Sequence, residues 1–237
     1  MINSPLRLLV HGASGRMGGA LLRLAADAPD LQVVAAVSRE GIAGGAIGLP
    51  TGGMDRAPDF DVAIDFSLPE ALPAVLALCQ SRGRPLVCGT TGIGAAERAA
   101  LQTAAATIPV LWASNFSLGV VVLEDLVERA SRALAGWEIR MSETHHVNKK
   151  DAPSGTAITL ARAAERGSGR LPPIESIRVG EVVGDHEIEL VGPGETLRLA
   201  HHAENRDIFA LGALEAARRL ASAPPGWHRL ADLLLTA

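Results

Sequence analysis

The feature that most restricts the fold of this chain is a unit repeated through its first half: a short apolar run, a turn, then a stretch with helical spacing. The runs are Leu6 to Val10, Val33 to Val37, Val62 to Phe66, Leu86 to Val87 and Val110 to Trp112, and Leu21, Leu22, Leu24 and Ala25 recur at helical spacing between the first two. Strands alternating with helices are the pattern of a parallel sheet with crossover helices. Ser67-Leu68-Pro69-Glu70 reads as a capping box with proline in the first turn of the following helix. That reading puts Asp65, Phe66 and Ser67 at the carboxyl end of a strand, where open α/β sheets gather ligands. With 237 residues the chain is long enough for a substantial core, since area scaling at this size buries roughly 70% of the unfolded surface.

Beyond Asn115 the pattern changes. Leu118 to Leu134 reads as one long helix, and Trp137, Ile139 and Met141 then alternate with Glu138, Arg140 and Ser142, as in a strand with one wet face. Ser154 to Arg166 is a second helix, capped by Ser154. Three further alternating runs, Ile174 to Val183, His186 to Val191 and Thr196 to His202, have no helices between them, so antiparallel pairing is expected. Ile208 to Leu220 and Leu230 to Leu235 return to helical spacing. The expected fold class is therefore α/β, a Rossmann-like parallel sheet domain followed by an α+β domain with a mixed or antiparallel sheet, the boundary falling near Asn115.

Several functions are disfavoured. A net charge of −4 and 3% aromatic residues supply neither a basic footprint nor stacking platforms, so nucleic acid is not an expected partner. No apolar run approaches the roughly 18 residues of a membrane span. The apolar run at the amino terminus gives way to His11 and Gly12 too early for a secretory signal, and the chain is expected in the cytoplasm. Cys79 and Cys88 form no CxxC pair and read as buried small hydrophobes. Of 22 basic residues only two are lysines, the adjacent Lys149 and Lys150, which hints at a need for a compact ammonium there.

Two clusters carry chemistry. His11-Gly12-Ala13-Ser14-Gly15-Arg16-Met17-Gly18 follows the first strand and opens the first helix, where a pyrophosphate would meet backbone N–H groups and the helix dipole. Its spacing is GxxGxxG, and by itself it could also be a tight strand-to-helix turn. At the end of the second strand stands Ser38-Arg39, with Glu40 one step beyond; Arg39 is placed to meet a 2′-phosphate, which favours NADPH while allowing NADH. Gly89-Thr90-Thr91-Gly92 and Ala113-Ser114-Asn115-Phe116 follow two more strands and would bring short polar groups near a flat nicotinamide ring.

The second cluster is Glu143-Thr144-His145-His146-Val147-Asn148-Lys149-Lys150-Asp151-Ala152-Pro153-Ser154-Gly155-Thr156, a concentration of titratable groups before a helix start. The His pair lacks a third ligand at helical spacing, so no metal is expected. Imidazole and ammonium suit acid/base work, and the N–H groups at Ser154, Gly155 and Thr156 suit an anion. His201-His202 ends a strand and reads as structural or interfacial.

Together Gly12 to Gly18, Asp65-Phe66-Ser67, Gly89 to Gly92, Ser114-Asn115-Phe116-Ser117, and His145-His146 with Lys149 and Asp151 to Ala157 resemble the 4-hydroxy-tetrahydrodipicolinate reductase (dihydrodipicolinate reductase) family of the diaminopimelate route to lysine. The motifs run in family order across nearly the whole chain. The resemblance implies a nucleotide domain at 1–115 and 207–237, a substrate-binding and assembly domain at 116–206, a hinge, and a homotetramer. It implies NADPH or NADH as reductant and a small cyclic imine with two carboxylates as substrate. It gives Gly12, Ala13, Ser14, Gly15, Arg16, Met17, Arg39, Gly89, Thr90, Thr91, Ala113, Ser114, Asn115 and Phe116 to the cofactor. His145 and Lys149 become the acid/base pair, and His146, Gly155 and Thr156 hold the substrate carboxylate. The segment from Arg39 to Asp61 is shorter than in many members, and a Gly-rich basic stretch is nearly absent around Gly167 to Pro173. Two other readings of the residues are another pyridine-nucleotide enzyme, such as an aldehyde dehydrogenase with Cys88 as nucleophile, and a non-catalytic nucleotide sensor.

Overall fold

The structure, a computed structural model, describes residues 4–39 and 47–235. Glu40, the residue after Arg39, lies outside the described residues. The chain divides into two compact units, Met1–Phe116 with Phe209–Ala237, and Ser117–Ile208.

The first unit is a seven-stranded sheet in which every neighbouring pair runs parallel. Its strands are β1 (Leu6–His11), β2 (Leu31–Ser38), β3 (Ile47–Pro50), β4 (Val62–Asp65), β5 (Leu86–Cys88), β6 (Pro109–Trp112) and, from the carboxyl-terminal segment, β11 (Gly226–His228). The order β11-β6-β5-β4-β1-β2-β3 places β1 and β4 at the centre, and their four-residue stretches Leu8–His11 and Val62–Asp65 are buried throughout. Burial on both faces is why these strands read as continuous apolar runs with no alternation. The helices are α1 (Arg16–Ala26), α2 (Leu72–Arg82), α3 (Ala95–Ala104), most of α6 (Asp207–Leu220) and α7 (Leu230–Leu235). Leu9, Val37, Phe60, Leu72, Val75, Leu86, Leu101 and Ile108 form one core cluster.

The capping box expected at Ser67 does not form. Pro69–Ala71 is a short 3₁₀ turn ahead of α2 whose cap position is Leu68, one residue beyond Ser67, and no side chain caps it. The Ser67 hydroxyl instead donates to the Asp65 carboxylate at 2.6 Å. Strands β3 and β11 were not anticipated; each is four residues or fewer at a sheet edge, too short for a periodic signal.

The second unit holds α4 (Leu118–Ala133), β7 (Glu138–His145), α5 (Gly155–Ser168), β8 (Ile174–Arg178), β9 (Asp185–Gly192) and β10 (Glu195–His202), with a four-stranded sheet in the order β10-β9-β7-β8. Strands β7, β9 and β10 are antiparallel neighbours, as expected. Strand β8 departs twice from expectation: it stops at Arg178, short of Val183, and it pairs parallel to β7. Helix α5 is the reason, since it carries the chain back across the sheet before β8 begins. Ser117 and Ser154 cap α4 and α5 through their hydroxyls, which accept from the N–H of Val120 and Ala157. Arg166 on α5 ties down α4 through Glu128 at 2.8 Å and Glu124 at 2.9 Å. Inward-facing Ile139, Met141, Ile188 and Leu190 meet Val127 and Leu160 beneath these helices. Among the described residues no helix is long and apolar enough to cross a membrane.

Leu160 is fully buried in this core. Leu160→Ala is expected to lower unfolding free energy by about 2–5 kcal/mol, read from the urea midpoint at unchanged slope.

Candidate active site

In the first unit the loops after β1, β4, β5 and β6 interlock. Gly12 has φ +80°, a left-handed conformation that glycine adopts without penalty, and its N–H donates to Val37 O at 2.9 Å. A Cβ at Gly12 would stand 2.3 Å from Phe66 O, and one at Gly18 2.3 Å from Gly12 O. The glycines thus press the loop onto the sheet end and bring the start of α1 against the loop, while Ser14, Gly15 and Arg16 remain exposed on its rim. An open helix start lined by backbone is the geometry that an anionic phosphate group fits. Arg39 is exposed just beyond β2. A Cβ at Gly89 would meet the Phe66 ring at 2.2 Å, and that ring packs on Phe116 with centroids 5.4 Å apart. Thr90 is buried and Thr91 exposed; Ala113 and Asn115 are half-buried, Ser114 is exposed and Phe116 is buried. The fold therefore gathers the residues assigned to the cofactor, from Gly12 to Met17, Gly89 to Thr91 and Ala113 to Phe116, at one edge of one sheet.

Cys88 is fully buried, as is Cys79. Burial, with the nearby Asp65 charge added, pushes both thiols far up from the ordinary thiol range. A buried thiol held in its neutral form is a poor nucleophile, which argues against the aldehyde-dehydrogenase reading.

In the second unit β7 ends in the acid/base pair. Glu143 and His145 share the inward face of β7, and the Glu143 carboxylate bonds His145 Nδ1. Its other oxygen accepts from Arg178 at 2.8 Å. Burial alone would raise the Glu143 carboxyl, but the bonds with Arg178 and His145 outweigh it and hold the carboxyl below its ordinary range. With Nδ1 engaged, Nε2 is the atom of His145 left for a reacting partner, and Gly184 leaves room beside it, since a Cβ there would sit 3.0 Å away. Burial is the largest influence lowering His145 below the ordinary imidazole value; Glu143 opposes it, and Lys149 and Arg178 reinforce it. Lys149 is therefore within electrostatic reach of His145, and its ammonium donates to the Asp151 carboxylate at 2.9 Å. His146 is half-buried beside Arg206, whose guanidinium lies 3.3 Å from its Nε2. Gly155 is exposed at the first turn of α5, where an added Cβ would meet nothing within 4 Å.

Glu143 stands in the titratable stretch of the sequence with no role assigned, His201 reads there as structural or interfacial, and Arg178 and His186 carry no signal beyond their strands. Glu143 and Arg178 hold His145, and His186 and His201 extend the cluster across β9 and β10. The His145 and His186 rings meet edge to face with centroids 5.2 Å apart, and His201 lies 6.3 Å from His186. Period two already put Glu143 and His145 on one face, so that pair was accessible to sequence reasoning; the cross-strand partners were not. Glu143, His145 and His186 also present ligand-type atoms within 4.8 Å of one another, a third ligand that sequence spacing hid. The carboxylate is already paired with Arg178, so the set fits a proton network better than a metal.

A parallel sheet with a glycine loop at its rim, joined in one chain to a mixed sheet that ends in a carboxylate-held imidazole, defines the class: a Rossmann-type, nucleotide-dependent oxidoreductase. Comparison with known proteins narrows it. The chain belongs to the dihydrodipicolinate reductase family, matching the family's N-terminal part over residues 6–116 and its C-terminal part over 119–234. It is 57% identical to the 4-hydroxy-tetrahydrodipicolinate reductase of Stenotrophomonas maltophilia (strain R551-3), over 99% of this chain and 100% of that one. It is 54% identical, with the same coverage, to that of Xanthomonas campestris pv. campestris (strain B100). Among solved structures, the dipicolinate-bound dihydrodipicolinate reductase from Paenisporosarcina sp. TG-14 shares the fold with a TM-score of 0.83 at 21% identity, covering 95% of this chain and 97% of that one.

Because both thiols are buried and raised, iodoacetamide at neutral pH is expected to leave the native protein unmodified and to alkylate both cysteines only in denaturant, as read by mass spectrometry.

Proposed function

We propose that this chain reduces 4-hydroxy-tetrahydrodipicolinate to tetrahydrodipicolinate in the diaminopimelate route to lysine, with NADPH preferred and NADH accepted. Family membership across both parts of the chain, together with the Glu143-held His145, carries the reading. The rim of Gly12, Ala13, Ser14, Gly15, Arg16 and Met17 would hold the pyrophosphate and Arg39 the 2′-phosphate. Thr90, Thr91 and Ala113 to Phe116 would orient the nicotinamide. When bound, the reduced nicotinamide supplies the hydride. An engineered D-amino acid dehydrogenase bound to NADP+ has a related fold, with a TM-score of 0.61 over 98% of this chain, which is consistent with a pyridine nucleotide here.

The chain's own residues supply the proton and the charge. Once the 4-hydroxyl has left as water, hydride arriving at the conjugated ring carbon leaves negative charge on the imine system, and a donor at that moment is worth roughly 10²- to 10⁴-fold. His145 is that donor through Nε2, with Glu143 fixing its tautomer and Arg178 keeping the Glu143 charge balanced. Lys149 assists and offsets substrate charge. His146 and the start of α5 at Gly155 and Thr156 take a carboxylate, where the helix dipole favours an anion. The face of the four-stranded sheet turned away from α4 and α5 displays Arg140, Thr144, Glu187 and Arg198, none of them buried, and supports assembly of the tetramer through this face. The cytoplasm is the compartment where this reductant is supplied, and neither nucleic acid nor membrane is a partner.

His145→Gln and Lys149→Ala are expected to lower kcat by orders of magnitude while the Kd for NADPH, measured calorimetrically, stays within about threefold. Unchanged turnover in either variant removes that residue from the mechanism. A donor must carry its proton, and His145 loses it at a value below the ordinary imidazole range in the free protein. The profile of kcat/KM is therefore expected to be flat in acid and to fall as pH rises through that lowered value. The break in kcat should lie at higher pH, because substrate carboxylates stabilise the imidazolium in the complex.

A further inference from the structure

Asp65, at the carboxyl end of β4, is fully buried and takes no part in the chemistry above. Four groups converge on its two oxygens. Oδ1 lies 2.8 Å from His11 Nδ1 and accepts from the Ser67 hydroxyl at 2.6 Å; Oδ2 accepts from the Thr90 hydroxyl at 2.7 Å and from the Cys88 thiol at 3.4 Å. An ionised carboxylate offers about four acceptor sites and no donor, so the set is complementary and His11 Nδ1 carries the hydrogen. Thr90 relays the link, since its hydroxyl also accepts from the Ser67 N–H at 3.0 Å. Backbone bonds run the same way, from Phe66 N–H to His11 O at 3.0 Å and from Gly89 N–H to Asp65 O at 2.8 Å. His11 immediately precedes the glycine loop, Ser67 belongs to the loop after β4, and Thr90 to the loop after β5.

We infer that Asp65 is a positioning residue for nucleotide binding: through His11, Ser67 and Thr90 it locks the loops that follow β1, β4 and β5 into one platform, without reaching the nucleotide itself. The inference rests on the assignment of the Gly12–Met17 and Gly89–Thr91 loops to the cofactor. The carboxylate is out of solvent, so its influence passes only through its four donors. Replacing one oxygen by an amide nitrogen sets a donor against two donors and frees one side of the platform, with little change to a core of nearly the same shape.

Asp65→Asn tests this, with His11→Phe and His11→Gln as companions; His11 is buried and equally out of the nucleotide's reach. NADPH and NADH binding to the full-length protein would be measured by calorimetry, beside KM for the imine and kcat at saturating NADPH. Asp65→Asn is expected to raise the NADPH Kd about tenfold or more, the effect of a lost buried hydrogen bond, while KM for the imine and kcat move less than about threefold. His11→Phe should weaken NADPH in the same direction, and His11→Gln, which keeps a donor, should recover most of the loss. Should Asp65→Asn not fold, the His11 pair decides. Wild-type protein that binds neither nucleotide overturns the cofactor reading and this inference with it. Wild-type protein that binds, with variants that bind equally well or that lose imine and nucleotide affinity in parallel, overturns this inference alone.

Discussion

A carboxylate buried at the end of a central strand survives only when donors surround it, and each unit of this protein is organised about one. Asp65 accepts hydrogen bonds from two hydroxyls, a thiol and an imidazole; although burial is the largest influence and pushes its carboxyl up, the bond and electrostatic pull of His11, then the bonds from Ser67 and Thr90, bring it below the ordinary value. Glu143 is held by the Arg178 guanidinium and by His145. The difference follows from what each must do. Asp65 joins loops and needs a fixed pattern of acceptors. Glu143 sits beside an imidazole that must gain and lose a proton, and the permanent charge of Arg178 keeps the carboxylate ionised through that change.

The same electrostatics decide where a proton rests in the second unit. His145, His186 and His201 stand on three adjacent antiparallel strands, with ring centroids 5.2 and 6.3 Å apart. Charging more than one of them in a buried setting is costly, and burial followed by the repulsion of its two neighbours brings His186 down to about 4. Burial lowers His201 as well. Their Nε2 atoms instead share hydrogen bonds with the hydroxyls of Ser154 and Ser117, the residues that cap α5 and α4. Of the three, His145 alone bonds a carboxylate that favours its charged form, so it is the one suited to carry the proton.

The parallel sheet was legible because its central strands are buried on both faces, and the second unit because β7, β9 and the two capped helices follow simple periods. Three things were not legible, each for a physical reason. Ser67 matches a capping pattern, but the turn starts one residue later, at Leu68, and the hydroxyl meets Asp65, a placement set by the strand end and not by the local sequence. The direction of β8 depends on α5 acting as a crossover, which alternation along β8 itself cannot encode. Glu143, Arg178 and His186 meet across strands, from positions far apart in the chain, so local spacing showed a pair of histidines where the fold builds a network.

Lysine usage closes the argument about the site. Every basic position except Lys149 and Lys150 is arginine, and the structure shows why an ammonium suits at least the first. Lys149 is bonded to Asp151, whose side chain is 58% exposed, an ion pair of the kind that contributes little and exchanges at low cost. A bidentate arginine would hold that partner more firmly, whereas a single ammonium can release Asp151 and turn to a substrate carboxylate without a large penalty. In the proposed reaction that exchange brings a cation to the incoming dicarboxylate while leaving Glu143 and Arg178 undisturbed, so charge is supplied where the substrate needs it and the tautomer of His145 is preserved.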